Sequence, residues 1–318
     1  MNKFMQALMS ISLFFVSILV TLFIGEGFLR LKNSDMKNYD IEMWKYAKAL
    51  KRQSSNPILG HEHIENSVAI LQSAEISTNN YGLRGQKISS KKDKNRILFL
   101  GSSITLGWGI DQEHTLTEKL SGMLNDDNDS YEILNAGIGN YNTERYIELY
   151  FSRLHELKPD SIVIQYFIND AEQLPSGGGN WLLRNSQLAV TLMIAINRLI
   201  YSGGESSLVG HYKNVYSSDG FYKMKNSIER LSEHTKRNNI KLFIVMTPDF
   251  HNLIDYPFTF IHTEISEIAK ENDITYLDLL PYFDGISKEE IWVMPGDPHP
   301  NEKGHEIMAL AIKNNFKF

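Results

Sequence analysis

Apolar positions in this chain form one long continuous run near the start and several short runs later, the latter separated by helical periodicity. From Phe4 to Ile24 no position is charged, and the polar members are Gln6, Ser10, Ser12, Ser17 and Thr21. At about 1.5 Å of rise per residue, a helical run of this length spans a ~30 Å hydrocarbon core. Signal-peptide apolar regions are shorter, roughly 7–15 residues, and end in a small-residue cleavage site. Here the run closes Leu22-Phe23-Ile24-Gly25-Glu26. The pattern predicts an uncleaved transmembrane helix over residues 1–25.

Residues 26–94 are polar and mixed and read as a juxtamembrane and connector region. They carry a turn-rich stretch, Asn79-Asn80-Tyr81-Gly82-Leu83-Arg84-Gly85, and a solvated lysine run ahead of Arg96. From there the pattern changes. Ile97–Leu100 is a short apolar run ending at Gly101, and similar runs recur at Tyr131–Leu134, Ser161–Tyr166, Lys241–Met246 and Ile274–Leu277. Helical patterns at Thr143–Leu157, Gly220–Arg237 and Ile261–Asn272 lie between them. Strands alternating with helices predict an α/β domain over 95–318, with a parallel sheet covered on both faces. Ligands of such sheets sit at the carboxyl ends of the strands.

A helical insertion over about 176–219 interrupts the alternation. Its Trp181–Tyr201 portion is largely apolar but holds Arg184 and Arg198, and each arginine costs roughly 2.5–3.5 kcal/mol at a bilayer centre. A second span is therefore not expected. The segment reads as an amphipathic helix packed on the domain or as a lid or interfacial helix. Gly177-Gly178-Gly179 and Gly203-Gly204 flank it and would let it move.

Composition narrows the chemistry. There is no cysteine, which removes disulfides, thiolate catalysis and cysteine-held metals. The net charge of −6 offers no basic stripe, so no nucleic-acid partner is expected. His61 and His63 lack an evident third metal ligand and read as surface histidines, so no metal site is expected.

Four segments carry candidate chemistry. Gly101-Ser102-Ser103 follows the first strand, where a nucleophilic serine needs exposure, a base and oxyanion donors; a serine-rich turn is the plainer reading. Asn135-Ala136-Gly137-Ile138-Gly139-Asn140 follows the second strand and reads as a tight turn that bares backbone N–H groups. Phe167-Ile168-Asn169-Asp170 follows the third, and an uncharged asparagine amide suits an oxyanion hole as well as it suits an Asx turn. Pro295-Gly296-Asp297-Pro298-His299-Pro300 holds a histidine in a stiff loop, and histidine is the natural base for a serine when a carboxylate fixes its tautomer.

These four blocks, in this order, resemble the SGNH (GDSL-type) hydrolase superfamily over residues 96–315. The resemblance implies a flavodoxin-like three-layer α/β/α fold with Ser103 as nucleophile and His299 as base, oriented by a nearby aspartate. It also implies an oxyanion hole of the Ser103 N–H, a block-two N–H and the Asn169 side chain. The chain departs from the pattern in three places. Ser102 replaces the usual aspartate, Phe167 replaces a glycine, and the orienting carboxylate falls at Asp297, with Gly296 where it is usually found. The second block departs as well: counting from Asn135, its usual glycine falls on Asn140, which becomes the block-two donor, with Gly139 one residue earlier. The Gly82-Leu83-Arg84 stretch is similar to a leader of anchored bacterial members, which implies a single-pass protein of the bacterial cell membrane with an extracytoplasmic catalytic domain. The flanking charges, Lys3 before the run and Arg30, Lys32 and Lys37 after it, do not favour that orientation.

The expected activity is hydrolysis of acyl esters through an acyl-enzyme, above all O-acetyl groups on a cell-envelope or exported carbohydrate. O-acetyl transfer to such a glycan, lipid or thioester hydrolysis, and a catalytically silent glycan-binding scaffold are the alternatives. The expected partners are an acylated small molecule or glycan and the membrane, with no cofactor.

Overall fold

The computed structural model describes residues 3–126, 130–175, 181–200 and 205–318. The glycine triplet and pair expected to flex around the insertion lie outside the described residues. In chain order, α1 (Lys3–Lys32) and α2 (Tyr39–Leu50) precede two antiparallel pairs, β1 (Lys51–Gln53) with β2 (His61–His63), then β3 (Val68–Leu71) with β4 (Ala74–Ser77). Next come β5 (Asn95–Gly101), α3 (Ser103–Leu106), α4 (Leu116–Leu124), β6 (Tyr131–Gly137), α5 (Thr143–Ser152) and β7 (Ser161–Tyr166). Helices α6 (Trp181–Asn185), α7 (Gln187–Ile200) and α8 (Glu205–Val215) separate β7 from α9 (Asp219–Arg237), β8 (Lys241–Met246), α10 (Thr259–Glu271) and β9 (Thr275–Asp278). The chain ends with α11 (Lys288–Ile291), β10 (Trp292–Met294), β11 (Asp297–Pro300) and α12 (Glu302–Asn315).

Strands β5 to β9 form one parallel sheet in the order β6-β5-β7-β8-β9. The parallel sheet is what the alternating pattern predicted, and its order is the flavodoxin-like one that the family resemblance implied. The winding reverses between β5 and β7, the place where ligands of such sheets bind, at the carboxyl ends of the strands. Alternate residues of each strand feed opposite faces. Leu98, Leu100, Ile162, Ile164 and Ile244 pack with Ile147, Ile228 and Ile265 on one side. Ile97, Phe99, Val163, Phe243 and Val245 pack with Leu120, Met308 and Ile312 on the other. Burial on both sides explains why these strands read as continuous apolar runs. The apolar run of β6 stops at Leu134, yet the strand continues in register to Gly137, opposite Gly101. Backbone pairing needs no apolar side chain, so periodicity missed its last turnward residues.

The chain divides into two compact units, residues 1–45 with 178–202 and residues 46–177 with 203–318. Much of the stretch expected to be a connector therefore belongs to the unit that holds the sheet. In the first unit, the helical stretch Lys3–Asp35 has a mean hydropathy of 2.6 over its most apolar window, none of it buried. By length and composition it can cross a membrane or serve as a signal sequence. Helix α7 is capped by Glu26 of α1, whose carboxylate accepts the Gln187 N–H at 3.0 Å, the Leu188 N–H at 2.9 Å and the Ser186 hydroxyl at 2.9 Å. A carboxylate at a helix N-terminus meets both its free N–H groups and its dipole. Arg30 joins Glu26 to the Asn185 carbonyl, and Trp44 Nε1 donates to the Leu183 carbonyl at 2.6 Å. Leu192, Ile196 and Leu199 of α7 are exposed. The insertion is thus fastened to the end of α1 through its polar residues and leaves apolar ones uncovered.

Candidate active site

The first loop follows from backbone demands. β5 ends at Gly101, beside Gln165 of β7, and α3 makes a single turn that stops at Gly107, in the left-handed region at φ 77°. Glycine adopts that conformation without steric cost. Gly137 at the end of β6 faces the Leu106 backbone so closely that a Cβ there would overlap it. Asn135 Nδ2 donates to the Thr105 carbonyl at 2.7 Å while its Oδ1 accepts the Gly137 N–H at 3.0 Å. The asparagine that opens the second block is therefore a brace between two crevice loops.

Ser103 lies at the start of α3 and is partly exposed. His299 Nε2 lies 2.8 Å from Ser103 Oγ, and His299 Nδ1 lies 2.6 Å from Asp297 Oδ1. Asp297 and His299 are two apart in β11, and residues i and i+2 of a strand share a face. The displaced carboxylate consequently reaches the imidazole. Gly296, where the carboxylate is usually found, closes the β10–β11 turn at φ 86°, after Pro295. A turn with proline at its first corner and a positive φ at its second calls for glycine there.

Asp297 has no exposed surface, and it accepts hydrogen bonds from three side chains and a backbone N–H among the described residues. Oδ1 also accepts the His299 N–H at 3.1 Å; Oδ2 accepts Gln72 Nε2 at 2.7 Å and Trp108 Nε1 at 3.1 Å. Burial alone would raise its pKa, but the hydrogen bonds from His299 and Gln72 outweigh that and hold the carboxyl below its ordinary range. An ionised Asp297 requires the proton on His299 Nδ1, which leaves Nε2 free to accept from the serine hydroxyl. Such a chain can take the Ser103 proton as Oγ attacks a carbonyl.

The chain matches the family model described as GDSL-like lipase/acylhydrolase over residues 99–307. It belongs to that family. Members are serine esterases and hydrolases acting on acyl esters, and so is this chain. No curated protein matches it in sequence. Among solved structures, a catalytic mutant of Axe2, an acetylxylan esterase from Geobacillus stearothermophilus, is 15% identical with a TM-score of 0.48 over 72% of this chain and 97% of that one. The esterase EstA from Pseudoalteromonas sp. is 15% identical with a TM-score of 0.42 over 70% of this chain and 96% of that one. No substrate follows from these likenesses.

The other two expected site residues follow the second and third strands of the sheet. Asn140 is exposed and left-handed at φ 62°, and its N–H has no acceptor among the described residues. The Gly139 N–H is donated to Tyr46 Oη at 3.0 Å. Of the two block-two candidates, Asn140 is thus the one with a donor to spare. Asn169 follows β7, and its Oδ1 is buried without a hydrogen-bond partner among the described residues. Asp170 beside it accepts the Phe167 N–H and the Tyr146 hydroxyl and is buried, which pushes its pKa well up.

Two histidines expected at the surface are not there. His63 is fully buried, with Nδ1 2.9 Å from the Gly82 carbonyl and Nε2 2.5 Å from Tyr46 Oη. His61 is partly buried and lies 3.2 Å from the Gly139 carbonyl. The β1–β2 pair folds both inward, where desolvation lowers each to about 3. No cluster of metal-ligating residues occurs among the described residues.

Gln72 was not legible as a site residue. With Ser73 it forms the two-residue β3–β4 turn, both at positive φ. That turn favours Asn-Gly, so a Gln-Ser pair carries backbone strain. The strain coincides with a side chain that bonds Asp297 at one end and accepts Trp108 Nε1 at the other, at 2.7 Å. In sequence the only trace is a turn between Leu71 and Ala74 without turn residues.

Proposed function

We propose that the protein removes short acyl groups, above all O-acetyl esters on a carbohydrate, through an acyl-enzyme on Ser103. The observation that carries this reading is the continuous Ser103–His299–Asp297 hydrogen-bond chain at 2.8 and 2.6 Å. Ser103 Oγ attacks the acyl carbonyl and His299 Nε2 takes its proton. The oxyanion is held by the N–H groups of Ser103 and Asn140 and by the Asn169 amide. His299 then returns the proton to the departing sugar oxygen. Water, activated by the same imidazole, releases acetate. Asp297 holds the ring in the tautomer this requires. If a second sugar hydroxyl replaces water, the same steps give acetyl transfer. The carbohydrate preference is supported by the resemblance of the Gly82-Leu83-Arg84 leader to that of anchored bacterial members.

Purified full-length protein treated with a fluorophosphonate is expected to carry one adduct, on the Ser103 peptide by mass spectrometry. It is also expected to release acetate from O-acetylated oligosaccharides. No adduct would refute an activated serine; an adduct without acetate release, but with turnover of long-chain esters, would refute the substrate class.

We further propose that α1 anchors the chain in a lipid bilayer and that α7 lies against the same bilayer. Its attachment to α1 through Glu26 and its exposed Leu192, Ile196 and Leu199 support this. An interfacial helix buries its apolar face about 5–10 Å into the headgroup boundary. Because the chain has no cysteine, single cysteines at Phe14, Ile196, Leu199 and Glu113 can be spin-labelled in full-length protein reconstituted in phosphatidylethanolamine–phosphatidylglycerol vesicles. Labels at 14, 196 and 199 are expected to relax with dissolved oxygen and the label at 113 with a water-soluble nickel chelate. Nickel access at 196 and 199 equal to that at 113 removes α7 from the lipid; the same result at 14 removes the anchor.

A further inference from the structure

The peptide between Gly139 and Asn140 is gripped on its carbonyl side by two side chains from the region ahead of the sheet. Lys51 Nζ donates to the Gly139 carbonyl at 2.5 Å, and His61 Nε2 lies 3.2 Å from the same oxygen. The preceding N–H, that of Gly139, is taken by Tyr46 Oη. The Tyr46 hydroxyl is in turn set by His63. The His63 Nδ1–H donates to the Gly82 carbonyl, so its Nε2 accepts from Tyr46. A trans peptide is planar, with its C=O and N–H on opposite sides. The Asn140 N–H therefore points away from Lys51 and His61 and along the axis they polarise.

We propose that Lys51, with His61 beside it, is a positioning residue of the oxyanion hole: its ammonium polarises the Gly139–Asn140 peptide and makes the Asn140 N–H a stronger donor to the developing oxyanion. The proposal rests on the Ser103 chemistry above. Hydrogen bonds in a chain strengthen one another by about 10–30%. Removing a whole oxyanion donor costs about 10²–10³ in kcat. Nearly a third of that, on the logarithmic scale, is roughly a four- to tenfold effect for the charge behind the donor.

The charge on Lys51 is itself adjustable. Burial pushes its ammonium down to about 7, and Arg145 on α5 adds to this. The Tyr46 ring lies under Nζ at 4.3 Å, with His61, His63 and Tyr141 as ionisable neighbours, Glu62 acting on Tyr141, and the Arg84 and Arg153 charges felt by Tyr46 and His63. His61 stays neutral because burial, then Lys51, lowers it to about 3. Of the two groups on the carbonyl, only Lys51 changes charge near neutrality. A lowered lysine is charged below its folded pKa, so the assistance is present below about pH 7 and fades above it.

The test compares full-length wild type, Lys51→Met and Lys51→Arg on p-nitrophenyl acetate, reading kcat and KM from about pH 6 to 9. The expected result is an alkaline decline of kcat in the wild type, starting near the Lys51 value of about 7. Lys51→Met should lose about four- to tenfold in kcat at pH 6.5, keep KM within about twofold, and show no such decline. Lys51→Arg should keep most of the activity and carry it to higher pH, because a guanidinium does not deprotonate there. A Met variant with wild-type kcat and profile would overturn the proposal, as would a loss that Arg does not restore. Should Lys51→Met fail to fold, a flat wild-type profile from about pH 6.5 to 9 overturns it equally. Ser103→Ala in the same assay separates the two levels. Activity there sinks the hydrolase reading itself, whereas a dead Ser103→Ala beside an unaltered Lys51→Met sinks only the peptide clamp.

Discussion

Replacing Ser103 with alanine is expected to lower kcat for an acetyl ester by about 10⁵–10⁶, the loss typical when a triad nucleophile is removed. The residual rate would come from the oxyanion donors and binding alone. The fold should hardly notice. Ser103 is partly exposed, and its side chain makes one hydrogen bond, at 2.8 Å to His299, worth about 0.5–1.5 kcal/mol net. Circular dichroism and melting should therefore match the wild type while p-nitrophenyl acetate turnover vanishes. More than about 1% of wild-type kcat in a homogeneous Ser103→Ala preparation would show that the hydroxyl is not the nucleophile.

The second large effect lies in a residue that touches no substrate. Arg84 is 2% exposed. Its guanidinium donates to the carbonyls of Leu106, Gly107, Ile110 and Glu75 and to Gln112 Oε1, at 2.6–3.1 Å. Its own N–H bonds the Asn135 carbonyl at 3.1 Å. Arg84 thus ties the loop after Ser103 to the second block and to the β3–β4 hairpin that carries Gln72. Arg84→Met keeps much of the apolar stem but takes the guanidinium donors from those acceptors, of which the Gly107 carbonyl keeps the Ile110 N–H at 3.4 Å. Each such acceptor costs about 1–3 kcal/mol, and breaking a buried charged network typically costs 3–5 kcal/mol in all. The expected result is a melting temperature lower by roughly 10 °C in detergent, together with loss of activity. Lys should not rescue it, because one ammonium cannot reach acceptors spread along a planar fork. An Arg84→Met protein that melts within about 2 °C of wild type would refute the role of Arg84 as a clamp.

Arg84 also shows where sequence reading stops. The Asn79–Gly85 stretch stood out as turn-rich, and its likeness to a leader was visible, but nothing in its composition told that the arginine would be buried. A charged residue in a polar segment reads as solvated. Only the fold brings five acceptors round it. The same holds for His61 and His63, which read as wet because β1 and β2 carry too few apolar residues to announce an interior position. Lys51 and Gln72 belong with them. Each lies in a short element whose partner is far away in the chain, as Gln72 and Asp297 show at 225 residues apart.

The strands of the parallel sheet and their alternation with helices were legible for a different reason. A strand buried on both faces must be apolar at nearly every position, and the residues that end it must be small or polar to form the crevice. Both demands are local and leave local marks. The anchor-like run at the N-terminus is marked in the same way, by length and the lack of charge. Sequence could name Asp297 and Asn140, but only tertiary structure decided that a carboxylate two residues before the histidine reaches its ring, that the Gly139 N–H is taken by Tyr46 while that of Asn140 is not, and which side chains stand behind them. Those are questions of distance between segments remote in sequence, and hydrogen bonds across such distances impose no periodicity that a linear pattern could carry.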